Sequence, residues 1–241
     1  MNPTKRFGSR AKAYAAFRPS YPPGAIDAAL AGLGDPHGLT IADVGGGTGI
    51  SARLFAERGA AVIAIEPNAQ MRSSAEPHAR VCWRDGTAES TGLDDASVDA
   101  VVACQAFHWF ATMDAMLEFR RIARCRAVLL QYERDERDPF TKAYGDVVRA
   151  YATDDTEALR AQALSTFAEF PNAVVARSEH SSKQRLDREA LVGRAASSSY
   201  LPQSGPDAER LRHDLLALFD RFERRGAVEL MTVTHALVAG W

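Results

Sequence analysis

Cysteine is scarce in this chain, which carries three in 241 residues, at Cys82, Cys104 and Cys125. Their number is odd, their spacing is wide and no Cys-x-x-Cys pair occurs, so neither a disulfide framework nor a zinc site is predicted. Long apolar runs are also missing, since no segment reaches the ~18 residues of a membrane span. The basic N-terminal segment carries no apolar block, and we therefore expect a cytoplasmic protein without a membrane span.

The chain also lacks a strong excess of charge, because 29 Lys and Arg stand against 31 Asp and Glu, for a net charge of −2. A general nucleic-acid surface is therefore not predicted. The mixed-sign run from Glu118 to Asp138 is interpreted as a solvated helix face and loop. There is no internal repeat or low-complexity tract, and the length with 46% hydrophobic residues predicts a single domain over residues 1–241.

The most informative segment predicts a strand, a glycine loop, a helix and a second strand in immediate succession. Thr40–Val44 is a short β-prone run that stops at the glycine-rich Gly45–Gly49, after which a helical pattern begins. The next apolar run, Ala61–Ile65, ends at Glu66. Glycines let the backbone approach a ligand closely, and the following helix directs its N–H groups at the same place. Glu66 therefore lies where a carboxylate can accept both hydroxyls of a ribose.

The spacing of the glycines separates two classes of nucleoside ligand. A dinucleotide fold places Gly-x-Gly-x-x-Gly after its first strand, whereas Gly45, Gly47 and Gly49 are spaced by two, with Gly46 between the first pair and Asp43 in the strand end. This acidic-x-Gly-x-Gly-x-Gly pattern resembles class I S-adenosylmethionine-dependent methyltransferases. The resemblance implies S-adenosylmethionine as cofactor, S-adenosylhomocysteine as product, and a loop that packs against the methionine part of the cofactor.

The same resemblance assigns further cofactor contacts. Asp43 would act near the amino group of the cofactor, through the loop or water, and Glu66, followed by Pro67, would hold the ribose. A predicted third strand, Val81–Arg84, precedes a turn that resembles the one flanking the adenine in this family. That turn and the residue after the fourth strand complete the predicted cofactor set: Gly86, Thr87, Ala88, Glu89 and Gln105.

Two segments resemble a subgroup of small-molecule methyltransferases related to trans-aconitate methyltransferase. One is the Ala-Phe-His-Trp-Phe run after the predicted fourth strand, Val98–Cys104, and the other is the aromatic segment Phe17–Pro22 with Tyr14 before it. The resemblance covers about the first 135 residues and implies that Tyr14 and Arg18 reach the carboxylate of the cofactor. A position in the core, on a helix face, stays open for Tyr14.

The methyl acceptor is predicted to bind around His108, at the edge where a wound sheet opens its crevice. An unperturbed imidazole titrates near neutral pH, so His108 is a candidate general base, and substrate contact or packing are its other interpretations. Phe107, Trp109 and Tyr200 are the remaining predicted substrate contacts. An exposed loop position is the other interpretation of Tyr200.

The predicted fold is α/β, a Rossmann-like, doubly wound, seven-stranded sheet that is mostly parallel with an antiparallel last strand. After a fifth strand, Ala127–Tyr132, a helical region delays the next strand, and we interpret about residues 133–173 as an inserted cap. Residues 1–38 are expected to form an N-terminal helical segment over the cofactor. The runs Ala173–Ala176 and Val228–Val238 are predicted to form the antiparallel edge.

These features predict metal-independent, in-line methyl transfer to a small organic metabolite with a carboxylate or hydroxyl acceptor, by a monomer or homodimer. The fourth strand ends without the Asn/Asp-Pro-Pro-Tyr tetrad of adenine and glutamine N-methyltransferases and without the aspartate of metal-dependent catechol enzymes. Glu118 stands alone where arginine methyltransferases carry two glutamates. A non-catalytic S-adenosylmethionine-binding sensor or partner subunit stays open, as does a dinucleotide oxidoreductase, which the glycine spacing disfavours.

Overall fold

The computed structural model describes residues 17–241. Within them the chain forms seven strands, all in one sheet: β1 (Thr40–Val44), β2 (Ala61–Ile65), β3 (Val81–Arg84), β4 (Val98–Cys104), β5 (Ala123–Arg134), β6 (Val174–Leu186) and β7 (Val228–Gly240). Their order in the sheet is β3-β2-β1-β4-β5-β7-β6. Strands β1 to β5 pair in parallel, and β7 lies antiparallel between β5 and β6. The predicted fold class is confirmed.

Helices of the described region cover both faces of this sheet. The α-helices are α1 (Pro23–Leu30), α2 (Ile50–Glu57), α3 (Ala69–Ser73), α4 (Met113–Ile122), α5 (Pro139–Tyr151), α6 (Thr156–Ala168), α7 (Arg188–Ala196) and α8 (Gly205–Phe222), and short 3₁₀ helices occur at Pro36–Gly38 and Phe107–Trp109. None of the helices within residues 17–241 is long and apolar enough to cross a membrane.

Three hydrophobic clusters hold the layers together. One packs α4 and α6 on one face of the sheet around Phe107, Phe119 and Phe167. A second packs α1 and α2 on the opposite face around Ile26 and Phe55. A third joins α5, α7 and α8 to the ends of β6 and β7 through Tyr144, Leu191, Tyr200, Leu215 and Leu230. Because the central strands β1 and β4 are covered on both sides, they are mostly buried and mostly apolar.

The strand order reverses between β1 and β4, and this reversal positions the site. The connection from β1 leads away to β2 on one side, while β4 pairs with β1 on the other. At such a switch point the loops after the two strands diverge, and a crevice opens outside their carboxyl ends. The loop after β1 is the glycine loop, and the loop after β4 contains the 3₁₀ helix Phe107–Trp109.

The second half of the chain departs in detail from the predicted elements. The strand predicted at Ala173–Ala176 continues to Leu186 and pairs with β7 along its whole length. The sequence did not predict this length because β6 is an edge strand, and most of its residues are polar and exposed or half-buried. The helical region before it consists of two helices, with Asp155 capping α6 by accepting from Ala158 N. The turn after α7 is buried from Ser197 to Leu201, although it contains three consecutive serines.

Candidate functional site

The glycine loop is tied to the neighbouring strand by its own backbone. The N–H groups of Gly45 and Gly46 both donate to the carbonyl of Ile65, at 2.8 and 3.2 Å. Gly45 has φ 73°, in the left-handed region that favours glycine. A Cβ atom there would lie 2.6 Å from Ala106 Cβ, so a side chain cannot fit. Glycine at this position lets the loop after β1 pack directly against the loop after β4.

A cavity of about 280 Å³ opens at this point, outside the carboxyl ends of β1, β2 and β4. Apolar and aromatic side chains form part of its wall, among them Ile50, Met71 and Phe110. The structure brings most of the predicted cofactor residues to this wall: Arg18, Gly45, Gly46, Gly47, Glu66, Pro67, Gly86, Thr87, Ala88, Glu89 and Gln105. Of the predicted substrate residues, Trp109 lines the same cavity. Tyr14 lies outside the described residues.

Glu66 is held at the cavity wall by backbone N–H groups. Its Oε2 accepts from Gly47 N at 3.1 Å and its Oε1 accepts from Asn68 N at 2.9 Å. Burial raises the pKa of Glu66, although these two hydrogen bonds oppose the increase. Each carboxylate oxygen keeps further acceptor capacity. The side chain is therefore oriented in advance and can still accept two hydroxyl groups.

Asp43 lies beneath the glycine loop rather than on the cavity wall. It is fully buried, its Oδ2 accepts from Ser51 Oγ at 2.7 Å, and its Oδ1 has no hydrogen-bond partner. Burial raises the pKa of Asp43 to about 7. Gly49 is likewise off the wall, at the N-terminus of α2, where a Cβ would lie 3.0 Å from Trp83. A buried carboxylate with an unpaired oxygen suits a nearby cation or donor.

Gln105 adopts an unusual backbone conformation and positions the end of β5. Its φ is 56°, in the left-handed region that non-glycine residues seldom occupy. The side-chain Nε2 donates to Tyr132 O at 2.9 Å, and Tyr132 N donates to its Oε1 at 3.1 Å. This residue therefore both lines the cavity and fixes the backbone of Tyr132.

Tyr132 is a cavity residue that the sequence analysis assigned only to a strand. Its hydroxyl accepts from Arg18 Nη1 at 3.1 Å, and Arg18 Nη2 donates to Ser197 O at 3.1 Å. Burial acts to raise the pKa of Tyr132, but the charges of Arg18, Arg194 and Arg160 outweigh it and bring the pKa to about 8. The position of Tyr132 at the carboxyl end of a parallel strand was the signal in the sequence.

His108 is buried behind the cavity wall. Its two ring nitrogens have no hydrogen-bond partner, and its ring packs against Trp109 with 4.6 Å between the centroids. Burial, reinforced by the charges of Arg160 and Arg18, lowers the pKa of His108 well below its usual value. The imidazole is therefore neutral at pH 7. Its neighbour Phe107 does not reach the cavity either, because it is fully buried in the core.

Tyr200 is also buried, so the exposed-loop interpretation of this residue does not hold. Its carbonyl accepts from Thr153 N at 2.8 Å and from Thr153 Oγ1 at 3.0 Å, which fixes the loop after α7 to the end of α5. The guanidinium of Arg160, on α6, lies 5.9 Å from the centroid of the Tyr200 ring. Tyr200 does not line the cavity, and the charges of Arg160, Arg18, Arg134 and Arg194 all act on it.

The residues around the cavity fit S-adenosylmethionine. The Gly45 position admits no side chain, Glu66 presents carboxylate oxygens to the cavity, and the unpaired Oδ1 of Asp43 suits the positively charged amino group. Ile50 and Met71 supply apolar contacts for an adenosyl group. Arg18 at the cavity wall is a cation of the kind that a carboxylate requires.

Comparison with known proteins supports the same class. A family model described as Methyltransferase domain matches residues 42–130. An uncharacterized methyltransferase of Mycobacterium tuberculosis is 38% identical over 147 residues, covering 59% of this chain and 58% of the relative. A ubiquinone/menaquinone biosynthesis C-methyltransferase of Rubrivivax gelatinosus is 36% identical over 90 residues, or 36% of each chain. The matches thus span less than two thirds of the relatives' length.

Solved structures establish the fold independently. A methyltransferase structure assigned to an antibiotic biosynthesis pathway of Anabaena variabilis superposes with a TM-score of 0.65 at 24% identity, covering 87% of this chain and 95% of the other. A type II methyltransferase structure from Anaeromyxobacter dehalogenans gives 0.66 at 23% identity, covering 93% and 97%. At these identities the likeness concerns the fold. The family model, these relatives and these structures of similar fold are thus all named methyltransferases.

Proposed function

We propose that this protein transfers a methyl group from S-adenosylmethionine to a small organic acceptor, at a carboxylate or hydroxyl oxygen. One observation carries the proposal: the glycine loop between Asp43 and Glu66 lines a cavity that Gln105 and Tyr132 complete from the ends of β4 and β5. Acidic groups and a preformed backbone turn therefore face aromatic and amide groups across a space of about 280 Å³.

The side chains divide the binding work among them. Glu66 would hold the ribose hydroxyls, Asp43 would stabilise the amino group from beneath the loop, and Arg18 would pair with the carboxylate. When bound, S-adenosylmethionine supplies an activated methyl group, whose transfer requires an aligned nucleophile and no covalent bond to the protein. The predicted cap, about 133–173, would flank the reactants as part of a single domain, and the N-terminal segment predicted over residues 1–38 lies partly outside the described residues.

The acceptor would lie between the cavity and the loop after β4. Trp109 and Phe110 line this side and exclude water from the reacting atoms. His108 lies behind this wall and is neutral, so it would contact only an acceptor that reaches past Trp109, and would then orient it through one ring nitrogen rather than hold a proton taken from it. An ionised carboxylate acceptor needs no base at all. Tyr132, whose hydroxyl already contacts Arg18, would provide a second polar contact.

Calorimetric titration with S-adenosylhomocysteine tests the binding half of this proposal, with NADH as the comparison ligand. We expect S-adenosylhomocysteine to bind and NADH not to bind, and the reverse result would favour an oxidoreductase. Methyl uptake from labelled S-adenosylmethionine, screened over small carboxylic and hydroxy acids, tests the transfer half. Tight cofactor binding without uptake by any acid would indicate a sensor or partner subunit instead.

A further inference from the structure

We propose that the protein binds an anionic group of its methyl acceptor, a carboxylate or a phosphate, between Arg160, Arg194 and Tyr200 beside the cofactor cavity. The inference rests on the proposed methyl transfer and adds the class of substrate. We call these three residues the anion subsite. Its parts come from α6, from α7 and from the loop after α7.

Arg194 is the most informative member of the anion subsite. It is 7% exposed, its Nε has no hydrogen-bond partner, and throughout residues 17–241 no carboxylate pairs with its guanidinium. Burying a charge without a partner is unfavourable, and proteins seldom keep such a group without a use for it. The contrast is Arg134, which is also largely buried but pairs with Glu136 and Glu157.

Arg160 approaches the same place from α6. Its Nε also lacks a hydrogen-bond partner, and no acidic side chain in the described part of the chain pairs with it. Its carbonyl accepts from Gln131 Nε2 at 2.8 Å, which anchors this turn of α6 to β5. The guanidinium lies over the ring of Tyr200, at 5.9 Å from the ring centroid. A planar anion can receive donors from both arginines there.

Arg160 and Arg194 both influence the same two tyrosines, Tyr132 and Tyr200. Burial acts to raise the pKa of Tyr132 and of Tyr200, but in both the charges of Arg160 and Arg194 are among those that lower it. Tyr132 lines the cavity. The positive region is thus continuous with the place where the acceptor must stand, and a negatively charged ligand is the chemistry that it favours.

The anion subsite is separate from the cation that we assign to the cofactor. Arg18 is engaged with the Tyr132 hydroxyl and with the carbonyl of Ser197, on the cavity side. An acceptor that reaches Arg160 and Arg194 therefore carries an anionic group away from the atom that receives the methyl. Such an acceptor is a dicarboxylic acid, a hydroxy acid or a phosphate monoester with a second nucleophilic oxygen.

The test uses Arg194→Met in the full chain, with Arg188→Met as its control. Arg188 lies on the same helix but is exposed and pairs with Asp220. Succinate and inorganic phosphate are titrated separately into protein saturated with S-adenosylhomocysteine, and melting temperature and calorimetric affinity are recorded. We expect one of the two anions to bind wild type and Arg188→Met, and to bind Arg194→Met at least tenfold more weakly. The preferred anion identifies the carboxylate or the phosphate as the natural group.

A second readout separates binding from a structural role. Without ligands, Arg194→Met should melt no lower than wild type, and about 2–4 °C higher if removal of the unpaired charge gains stability. Its affinity for S-adenosylhomocysteine should be unchanged. The inference is overturned if neither anion binds the wild-type complex, if Arg194→Met binds the anion normally, or if it loses cofactor affinity instead. Arg160→Gln provides the same readouts should Arg194→Met not fold. Absent S-adenosylhomocysteine binding by wild type would overturn the proposed function itself.

Discussion

The two sides of the cavity are built in opposite ways. The cofactor side is built mainly from the glycine loop and from Glu66 at the end of the next strand, is acidic, and depends on backbone conformation in a loop of glycines. The acceptor side is basic and aromatic, and it combines Tyr132 with the anion subsite from positions far apart in the chain. The charges fit the reaction, because the cofactor carries positive groups and the inferred acceptor carries a negative one.

The difference shows what local sequence can specify. A few neighbouring residues are enough to specify a turn that admits no side chain or an acid at a strand end. The function of both features can therefore be predicted from the sequence. A pocket of cations forms only when helices pack, and each arginine alone has the appearance of a solvated surface residue. The following predictions separate the two sides, beginning with the largest expected effect.

Asp43→Asn should stabilise the ligand-free protein at neutral and alkaline pH. Burial raises the pKa of Asp43 from 3.8 to about 7, so the folded state holds a proton that the unfolded chain releases, and stability is lost as pH rises through this window. Asparagine keeps the acceptor for Ser51 without the charge. The difference should be near zero at pH 4 and reach roughly 4 kcal/mol by pH 8.

Urea unfolding of both proteins across this pH range measures the effect, and the exposed Asp27→Asn serves as control. If the difference in free energy of unfolding between Asp43→Asn and wild type stays constant with pH, Asp43 does not titrate in the folded state over this range. Affinity for S-adenosylhomocysteine, measured in parallel, should fall in Asp43→Asn. Greater stability with weaker binding would identify the buried charge as a feature kept for the cofactor.

Glu66→Ala should weaken S-adenosylhomocysteine binding by about tenfold to a thousandfold, because two charge-assisted hydrogen bonds to the ribose are lost. Part of the loss would come from the loop, since Glu66 also accepts from Gly47 N. Calorimetry gives the affinity, and Glu76→Ala, at an exposed glutamate paired with Arg53, is the matched control. Equal affinity in Glu66→Ala and wild type would remove the ribose assignment.

Gly45→Ala should lower the free energy of unfolding by about 1–3 kcal/mol more than Gly92→Ala, and should weaken cofactor binding. Both glycines have similar backbone conformations, with φ 73° and 69°, so both substitutions carry the same left-handed penalty. Only the new Cβ at Gly45 meets a neighbour, Ala106 Cβ at 2.6 Å, whereas nothing lies within 4 Å of the one at Gly92. Equal losses in denaturant unfolding would mean that contact between the two loops is unimportant.

The elements that the sequence predicted well are short apolar runs that are followed directly by glycine or a polar residue. The bounds of β1 to β4 are confirmed, since each of these runs is rich in apolar residues and is followed by glycine or a polar residue. β6 was underestimated because edge strands carry polar side chains on both faces. Of the predicted acceptor residues only Trp109 lines the cavity, because which side chains of the loop after β4 face it depends on tertiary packing, and the acceptor site itself stays a prediction.

Arg194 and Arg160, which the sequence did not single out, share one property, because what distinguishes them is that no carboxylate of residues 17–241 pairs with them. Nothing in the segment around Arg194 or Arg160 distinguishes these arginines from Arg188 or Arg149, which pair with acids on the surface. Burial and the absence of a carboxylate are properties of the packed chain, here of its described part. The sequence predicted Tyr132 as the end of a strand. It could not show that the Gln105 side chain holds the backbone of Tyr132, because this contact joins the residue after β4 to β5.

His108→Gln is expected to have the smallest effect. It tests whether His108 positions the acceptor or acts as a general base. Burial and the charges of Arg160 and Arg18 keep the imidazole neutral, so we expect an increase in KM for the acceptor of about threefold to tenfold, little change in kcat, and no inflection of the rate near neutral pH. The depressed pKa also means that the unfolded chain binds a proton below pH 6.5 that the folded protein does not, so wild type should lose stability on acidification more steeply than His108→Gln. A hundredfold fall in kcat with loss of an inflection near pH 7 would instead establish His108 as a base. In that case the arginines would have to be farther from the ring in the working complex than they are here.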